Sequence, residues 1–226
     1  MKGDLRPGSC RSAGGVTRRS PAGTGTATNT TGGGLRGWLE DSDRLDLAVY
    51  AAVAATPTPT MDECLRRLSG AADHSKLWLG CSAALAAVGG GRGRRAAENG
   101  MASVALTSAV VNLALKPLGN RHRPDRVTAE VPITRQVAMP RSTSWPSGHS
   151  ASAFAFATGV GAAWPAAGVP LTALASLVAY SRVHTGVHYP SDAIAGTVSG
   201  VALAPVAVAA VARRRRRRVG RRHRAG

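Results

Sequence analysis

Cysteine is scarce in this chain of 226 residues. The three cysteines, Cys10, Cys64 and Cys81, lie far apart. They form no CxxC pair and no other spacing typical of metal ligands. The sequence therefore argues against a disulfide-stabilised fold and against a cysteine zinc site.

Acidic residues are also few. The chain has 12 Asp and Glu against 29 Lys and Arg, which gives a formal net charge of +17. Such a charge is typical of nucleic-acid binding, but nine arginines are concentrated between Arg213 and Arg224, and most of the others lie in the N-terminal segment or in loops. Positive charge at the end of the chain does not indicate a basic binding groove on the folded domain. We therefore predict no specific nucleic-acid partner.

The N-terminal segment, residues 1–43, has almost no large apolar side chain and is rich in Gly, Thr, Ser and Arg. It cannot bury enough surface to offset the loss of chain entropy, which predicts disorder. Polar sequence follows Arg18-Arg19 where an export signal requires an apolar stretch, so we expect no cleavable signal peptide.

Residues 44–212 form the predicted domain. Its longest uncharged runs are about as long as one membrane crossing, which needs about 20 residues. Several runs are short and rich in alanine, so a soluble helical bundle remains an alternative, but their number and distribution favour a membrane protein. Residues 45–55 are too short to span and resemble an interfacial amphipathic helix. The runs predict transmembrane helices at about 75–91, 98–115, 149–165, 168–183 and 191–212.

The positions of the basic clusters predict how these helices are oriented across the membrane. Placing Arg92, Arg94 and Arg95 in the cytoplasm also places the basic tail, residues 213–226, in the cytoplasm. The loop between residues 117 and 148 then lies outside, although it carries five arginines against the positive-inside rule. We expect some of these arginines to be held for phosphate. They are Arg121, Arg123, Arg126, Arg135 and Arg141.

Three short segments come together on this predicted external face, and they carry the residues that we assign to a site. A charged residue or a His in any one of them has an ordinary explanation, such as a helix cap or a surface charge. Their order and spacing make the set specific. The segments are Lys116 with Arg123-Pro124, then Pro146-Ser147-Gly148-His149, then Ser181-Arg182 with His188 and Asp192.

The last segment indicates a nucleophile. Pro190 suits the first turn of a helix, with His188 just ahead of it and Asp192 in that first turn. A carboxylate there can accept a hydrogen bond from one imidazole nitrogen and leave the other free to attack. His188 is therefore a candidate nucleophile.

The other two segments indicate an anion site. Ser147 and Gly148 precede an apolar run, so they are expected at a helix N-terminus, where backbone N–H groups favour an anion. His149 could protonate a leaving oxygen there. The cations Lys116, Arg123 and Arg182 could surround phosphoryl oxygens.

The composite pattern resembles the type 2 phosphatidic acid phosphatase (PAP2) family, within the acid phosphatase and vanadium haloperoxidase superfamily, over residues 75–212. The resemblance implies an all-α, membrane-embedded bundle of about five to six helices and metal-independent hydrolysis without a cofactor. It implies that His188 forms a phosphohistidine, that Asp192 orients it, and that His149 is general acid and then base. His122 and His184 fall at variable positions and receive no catalytic role. The implied phosphate-binding residues are Lys116, Arg123, Ser147, Gly148 and Arg182.

The sequence thus predicts a multi-pass cell-membrane phosphatase that acts on a lipid phosphate or a polyprenyl (pyro)phosphate at the extracytoplasmic face. The motifs do not choose among such substrates. One alternative is a soluble acid phosphatase or a vanadium haloperoxidase with the same anion site. A second is a non-enzymatic protein that binds anionic lipid or nucleic acid through its basic tail.

Overall fold

The structure, a computed structural model, describes residues 35–225, with side chains described from 40 to 221 except 219. The segment 1–34, which the sequence predicts to be disordered, lies outside these residues. Within the described range the fold consists of helices and loops, which confirms the all-α prediction. The helices are α1 (Leu35–Ala55), α2 (Pro59–Ala71), α3 (Lys76–Val88), α4 (Gly90–Leu118), α5 (Gly148–Gly161), α6 (Pro165–His184) and α7 (Pro190–Ala225).

Helix α5 lies at the centre of the bundle and packs against α4, α6 and α7. Small residues allow these backbones to approach closely, as is common between membrane helices. A Cβ added to Gly200 of α7 would lie 2.3 Å from the carbonyl oxygen of Ala151, and one added to Gly159 would lie 2.5 Å from Ser103 Oγ. The few large side chains, such as Trp78 and Phe156 with ring centroids 5.2 Å apart, fill the space beside this contact.

Three helices are long and apolar enough to cross a membrane: Gly90–Leu118, Pro165–His184 and the Pro190–Arg218 part of α7. The other two predicted spans contain shorter helices, because α3 ends at Val88 and α5 at Gly161. With 14 residues, α5 is about 21 Å long, less than the apolar layer of about 30 Å.

Helix α4 changes its geometry just before the first site residue. An α-helical part, Gly90–Val110, is followed by a π turn at Val111–Leu115 and a final turn at Lys116–Leu118. π turns inside helices occur frequently at functional sites. The π turn lies directly before Lys116, which begins the final turn of the helix.

The helical structure extends beyond both ends of the predicted domain. Helix α1 begins at Leu35, within the segment 1–43 that we expected to be disordered, and its carboxylates Asp43 and Asp46 both contact Arg121. At the other end, α7 continues through the arginines to Ala225. Residues 213–226 were expected to form a tail outside the domain. Arginine is a good helix former, and cations favour helix C-termini.

The long loop 119–147 is fixed to the helices by arginine side chains. Arg135 is buried and donates hydrogen bonds to the carbonyl oxygens of Val53 (3.1 Å) and Thr56 (2.7 Å). Arg126 donates to the carbonyl oxygens of Gly186 and Val137. The loop therefore lies over the ends of α4, α5 and α6, where the predicted site residues are located.

Candidate active site

The structure brings the three motif segments together at one end of the bundle. The guanidinium of Arg123 lies 3.3 Å from His188 Nε2, and the backbone N–H of Ser147 donates to the carbonyl oxygen of Asp192 at 2.9 Å. Lys116 lies beside Gly148, since a Cβ there would be 3.8 Å from its Nζ atom. His149 follows Gly148 in the first turn of α5, and the charge of Arg182 acts on both His188 and Lys116. The structure therefore brings all eight predicted site residues to one end of the bundle.

His188 lies in the turn between α6 and α7 and is 2 % exposed. Its Nδ1 atom is 3.6 Å from Asp192 Oδ2, which is longer than a hydrogen bond. Ser144 lies between the two groups, with its Oγ 3.4 Å from Nδ1 and 2.5 Å from the same carboxylate oxygen. Burial lowers the pKa of His188 to about 4, although the neighbouring Asp192 acts in the opposite direction. The ring is therefore neutral near pH 7.

The carboxylate of Asp192 is fully buried and receives several donors. Ser144 Oγ and the backbone N–H of Tyr189 donate to Oδ2, while Arg121 donates to Oδ1 at 3.0 Å. Buried charge is tolerated when it is paired and hydrogen-bonded in this way. Asp192 is thereby held in one orientation toward His188.

Arg121 joins this carboxylate to the N-terminal helix. Its guanidinium also pairs with Asp43 and, at 2.7 Å, with Asp46, and it stacks over the ring of Tyr189 at 4.4 Å. Asp46 in turn accepts from the backbone N–H and the hydroxyl of Ser191 at the start of α7. The sequence indicates Arg121 only as one of the loop arginines and gives no sign of Asp46, because their importance depends on a contact between α1 and α7.

Three cations at the site have no carboxylate partner among the described residues: Lys116, Arg123 and Arg182. Each is held by neutral acceptors instead. Lys116 donates to Ser142 Oγ, and Arg123 donates to the carbonyl oxygens of Ser142, Thr143 and Val187.

Arg182 is the most enclosed of the three, at 1 % exposure. It donates to Ser69 Oγ at 2.5 Å, and its buried Nε atom has no protein partner. The charges of Asp73 and Asp192 act on Arg182 and Arg123 without a direct ion pair. The donors of these three cations are therefore not occupied by a carboxylate among the described residues and can bind an anion.

The N-terminus of α5 adds backbone donors to the same place. Ser147 caps the helix, and its buried hydroxyl oxygen accepts a 3.4 Å hydrogen bond from the N–H of Ser150. Gly148 is the first helical residue and His149 the second. The free N–H groups of a first helical turn favour an anion, as the sequence analysis expected.

His149 has a partner that the sequence did not reveal. Its Nε2 atom lies 2.7 Å from Oδ1 of Asp73, and this contact holds the pKa of the Asp73 carboxyl below its usual value. Asp73 begins a short 3-10 turn, Asp73–Ser75, between α2 and α3. No motif spacing connects it with His149, so only the tertiary packing brings them together, in which α2 contacts α6 and α3 contacts α4.

The other histidine of the third segment, His184, takes part in a different cluster. It is 1 % exposed, and its Nε2 atom contacts Thr58 Oγ1 at 3.0 Å and Asp62 Oδ1 at 3.2 Å. Asp62 also pairs with Arg135 at 2.9 Å. This buried cluster joins α2, the loop and α6, so Arg135 is held for structure and not for phosphate.

A group of three or more His, Cys, Asp or Glu side chains able to hold a metal ion does not occur within residues 35–225 as described. The site instead consists of a buried imidazole, a second imidazole, three cations and a helix N-terminus at the end of a bundle with membrane-length helices. These features are suited to binding an anion such as phosphate, and the two imidazoles are suited to proton transfer and nucleophilic attack.

Comparison with known proteins agrees with this class. Residues 99–216 match the family model of the PAP2 superfamily. The decaprenylphosphoryl-5-phosphoribose phosphatase of Mycobacterium tuberculosis is 34 % identical over 170 residues, which cover 74 % of this chain and 91 % of that protein. The chain therefore belongs to the PAP2 superfamily and is a phosphatase of that type, which confirms the resemblance inferred from the motifs.

Two crystal structures share the fold. LpxE of Aquifex aeolicus superposes with a TM-score of 0.60 at 22 % identity, over 73 % of this chain and 94 % of that one. A transmembrane PAP2 type phosphatidylglycerolphosphate phosphatase from Bacillus subtilis gives a TM-score of 0.55, also at 22 % identity, over 74 % and 84 % of the two chains. The helical bundle is thus the architecture of membrane PAP2 proteins.

Replacing Arg121 with Met should destabilise the protein by about 3 kcal/mol, because it leaves the buried carboxylates of Asp46 and Asp192 without their cation. Thermal unfolding in detergent measures the effect. Arg44→Met is the matched control, since the Arg44–Asp41 pair is exposed and should contribute less than about 1 kcal/mol. Equal melting temperatures for the two variants would contradict the assigned role of Arg121.

The low pKa of His188 should make stability depend on pH. Between the unfolded value of about 6.5 and the folded value of about 4, the unfolded state binds more protons, so stability falls as the pH falls. The loss is about 3 kcal/mol at most. His188→Gln should therefore show a smaller decrease in melting temperature between pH 7.5 and pH 4.5 than the unmodified protein. Parallel decreases would show that His188 is not buried as a neutral ring.

Proposed function

We propose that the protein hydrolyses a phosphomonoester or diphosphate of a lipid or polyprenol, without a metal ion and through a phosphohistidine at His188. One observation carries the proposal: a buried, neutral imidazole lies beside three cations that lack carboxylate partners. A nucleophile needs a free lone pair, and the phosphoryl group needs positive charge around it. Both requirements are met at the same place.

In the first step, Nε2 of His188 attacks the phosphorus atom while the bond to the leaving oxygen breaks. His149 donates a proton to that oxygen, so the product leaves as a neutral alcohol, or as a phosphate when the substrate is a diphosphate. Nδ1 faces Ser144 and Asp192. The buried carboxylate stabilises the positive charge that the ring acquires on phosphorylation.

The surrounding donors stabilise the negative charge of the phosphoryl group during its transfer. Lys116, Arg123 and Arg182 are placed to bind its equatorial oxygens, together with the N–H groups of the first turn of α5 at Gly148. Ser147 fixes that turn as its cap. These donors are already in place before substrate binds, which is the condition for effective transition-state stabilisation.

In the second step, water attacks the phosphorus atom of the phosphohistidine and the P–N bond breaks. His149, which lost its proton in the first step, accepts a proton from this water. Inorganic phosphate leaves, and both histidines return to their starting states. Asp73 holds the ring of His149 in the same orientation for both proton transfers.

A lipid substrate is supported by the membrane-length helices and by the names of the relatives, a decaprenylphosphoryl-5-phosphoribose phosphatase and a phosphatidylglycerolphosphate phosphatase. The proposed site lies at helix ends, where a lipid head group meets water. The apolar part of the substrate would remain among the exposed apolar side chains of the helices, such as Leu113 and Val198.

We place the site on the extracytoplasmic face and the C-terminal arginines in the cytoplasm. An ion pair between Glu98 and Arg215 supports this orientation, because it puts the start of α4 and the arginines of α7 at the same end of the bundle. Arg92, Arg94 and Arg95 also lie at the start of α4. Lys116 is at the opposite end of the same helix, so both basic clusters lie away from the site, as the positive-inside rule requires.

Replacing either proposed catalytic histidine should abolish most of the activity. With a short-chain phosphatidic acid or prenyl phosphate and EDTA, we expect His188→Ala to reduce kcat by at least about 10³-fold and His149→Ala by about 10²- to 10⁴-fold. Vanadate should inhibit the unmodified enzyme. Phosphate release in detergent is the measurement. His122→Ala is the control and should keep its activity.

The intermediate can be observed directly. Rapid quenching with a 32P-labelled substrate should give an alkali-stable, acid-labile phosphoprotein from the unmodified enzyme and none from His188→Ala. Metal-dependent turnover that survives both histidine substitutions would refute the mechanism.

The orientation has a separate test. A reporter fused after Arg224 should be active in the cytoplasm, and one inserted near Val131 should be active outside, because the loop and the basic helix end lie at opposite ends of the bundle. A substituted-cysteine accessibility measurement at the same positions provides a second readout. The reverse labelling pattern would place the site in the cytoplasm and overturn the proposed sidedness.

A further inference from the structure

The second half of helix α7 has two different faces. Ala204, Ala207 and Val211 are buried in the bundle, and the carbonyl oxygen of Ala204 accepts a hydrogen bond from Ser103 of α4 at 3.5 Å. The opposite face is exposed. Because this part of α7 belongs to a helix of membrane length, its exposed apolar face lies toward lipid.

An open groove follows this exposed face, and we name it the arginine groove. Its volume is about 620 Å³, within the range of ~300–1,000 Å³ typical of sites that hold a drug-sized ligand. One part of its wall is apolar, and the part further along the helix is basic. The lining residues are Pro205, Val206, Ala209 and Ala210 in the apolar part and Arg213, Arg214 and Arg217 in the basic part.

The arginines of the groove are available to an anion. They come from little more than one helical turn and line the same groove. None of them forms an ion pair with a carboxylate among the described residues, whereas Arg215, on the packed side of the helix, pairs with Glu98. A guanidinium binds phosphate oxygens through two parallel hydrogen bonds. Three guanidinium groups within one turn can therefore surround a single phosphate.

The groove crosses the boundary of the apolar layer. Its apolar part lies within the membrane-length segment Pro190–Arg218, and its arginines lie at the end of that segment. Along the helix axis, Arg213 is about 32 Å from Asp192 at the proposed catalytic end, and the apolar layer is about 30 Å thick. The arginines are therefore at the level of lipid head groups, and the apolar part is at the level of acyl chains in the same leaflet.

A phospholipid with a net negative charge matches both parts of the groove. A soluble polyanion such as RNA would pair with the arginines but could not enter the apolar layer beside them. A zwitterionic lipid would fill the apolar part and leave the positive charges of the arginines without compensation. Basic residues next to a membrane-spanning helix favour anionic lipids for this reason.

We propose that the arginine groove binds one anionic phospholipid. Arg213, Arg214 and Arg217 hold its phosphodiester, and an acyl chain lies along the apolar part. The lipid is bound and not hydrolysed, because the groove is at the end of the bundle opposite the proposed catalytic residues. Binding stabilises the folded protein, as any ligand specific to the native state does. This site goes beyond the phosphatase function proposed above and does not depend on it.

Thermal unfolding in a neutral detergent measures the binding. The probe is phosphatidylmethanol, a simple anionic phosphodiester lipid, and phosphatidylcholine with the same acyl chains is the comparison. Vanadate is present in both titrations, so that an anion already occupies the proposed active site. We expect phosphatidylmethanol to give the same rise in melting temperature at a concentration at least about tenfold lower than phosphatidylcholine. Dimethyl phosphate, the same head group without acyl chains, should give no rise at those concentrations.

Two matched double variants distinguish the groove from general attraction to the basic helix end. Arg214→Gln/Arg217→Gln removes two arginines from the groove, and Arg216→Gln/Arg218→Gln removes the same charge from exposed residues that do not line it. The first should reduce the preference for phosphatidylmethanol to below about threefold, and the second should keep most of it. All four side chains are exposed, so neither variant should change the melting temperature before lipid is added.

A third variant tests the apolar part of the groove. Ala209 is exposed, so Ala209→Trp should fold normally while its large ring fills the space for an acyl chain. It removes no charge. We expect it to raise the concentration of phosphatidylmethanol needed for the same stabilisation by at least about fivefold.

The outcomes separate this site from the phosphatase function. Equal stabilisation by the two lipids, or equal losses in the two double variants, refutes a specific lipid site. Stabilisation by dimethyl phosphate refutes the role of the acyl chain, and tighter binding of a short RNA than of phosphatidylmethanol would identify a nucleic-acid surface instead. His188→Ala should lose phosphate release and keep the stabilisation by phosphatidylmethanol, so each proposal can fail without the other.

Discussion

The arrangement of the site depends on how carboxylates are distributed among its cations. Arg121 is paired with Asp43, Asp46 and Asp192, whereas Lys116 and Arg182 lack an acidic partner within the described range. Coulomb interactions in a partly buried site are strong enough that one misplaced carboxylate would neutralise an anion site. The fold therefore keeps a negative charge beside His188 and pairs that charge with Arg121, while the cations proposed to bind phosphate form no direct ion pair with a carboxylate among the described residues.

The sequence predicted the motif residues of the site because their positions are set by short-range features. Ser147 caps a helix, and His188 and Asp192 flank the first turn of another, so their spacing already determines their geometry. It did not predict Asp73, Ser144 or the role of Arg121. These residues act through tertiary contacts across 76, 44 or 75 positions of the chain, which local periodicity does not encode. The lengths of α1 and α7 were likewise underestimated, because the composition of residues 1–43 favoured disorder and the last apolar run ends at residue 212.

The N-terminal helices also contribute to the proposed site through long-range contacts. The family match begins at residue 99, yet three contacts to proposed site groups come from earlier in the chain: Asp46 to Arg121, Ser69 to Arg182 and Asp73 to His149. Helices α1 and α2 therefore hold groups of the proposed site, even though they lie outside the matched region. Residues at these positions can change the orientation of a catalytic side chain without any change in the motifs.

Helix α7 carries Asp192 in its first turn and the arginines from Arg213 onward near its other end. The rise of an α-helix places these residues about 32 Å apart, close to the thickness of the apolar layer of a bilayer, about 30 Å. Arginines held at one boundary of a bilayer thus fix how deep the carboxylate lies at the other. The length of the helix thus determines the depth of the site. Deleting or inserting a turn within it would change the height of the reacting atoms relative to the lipid head groups.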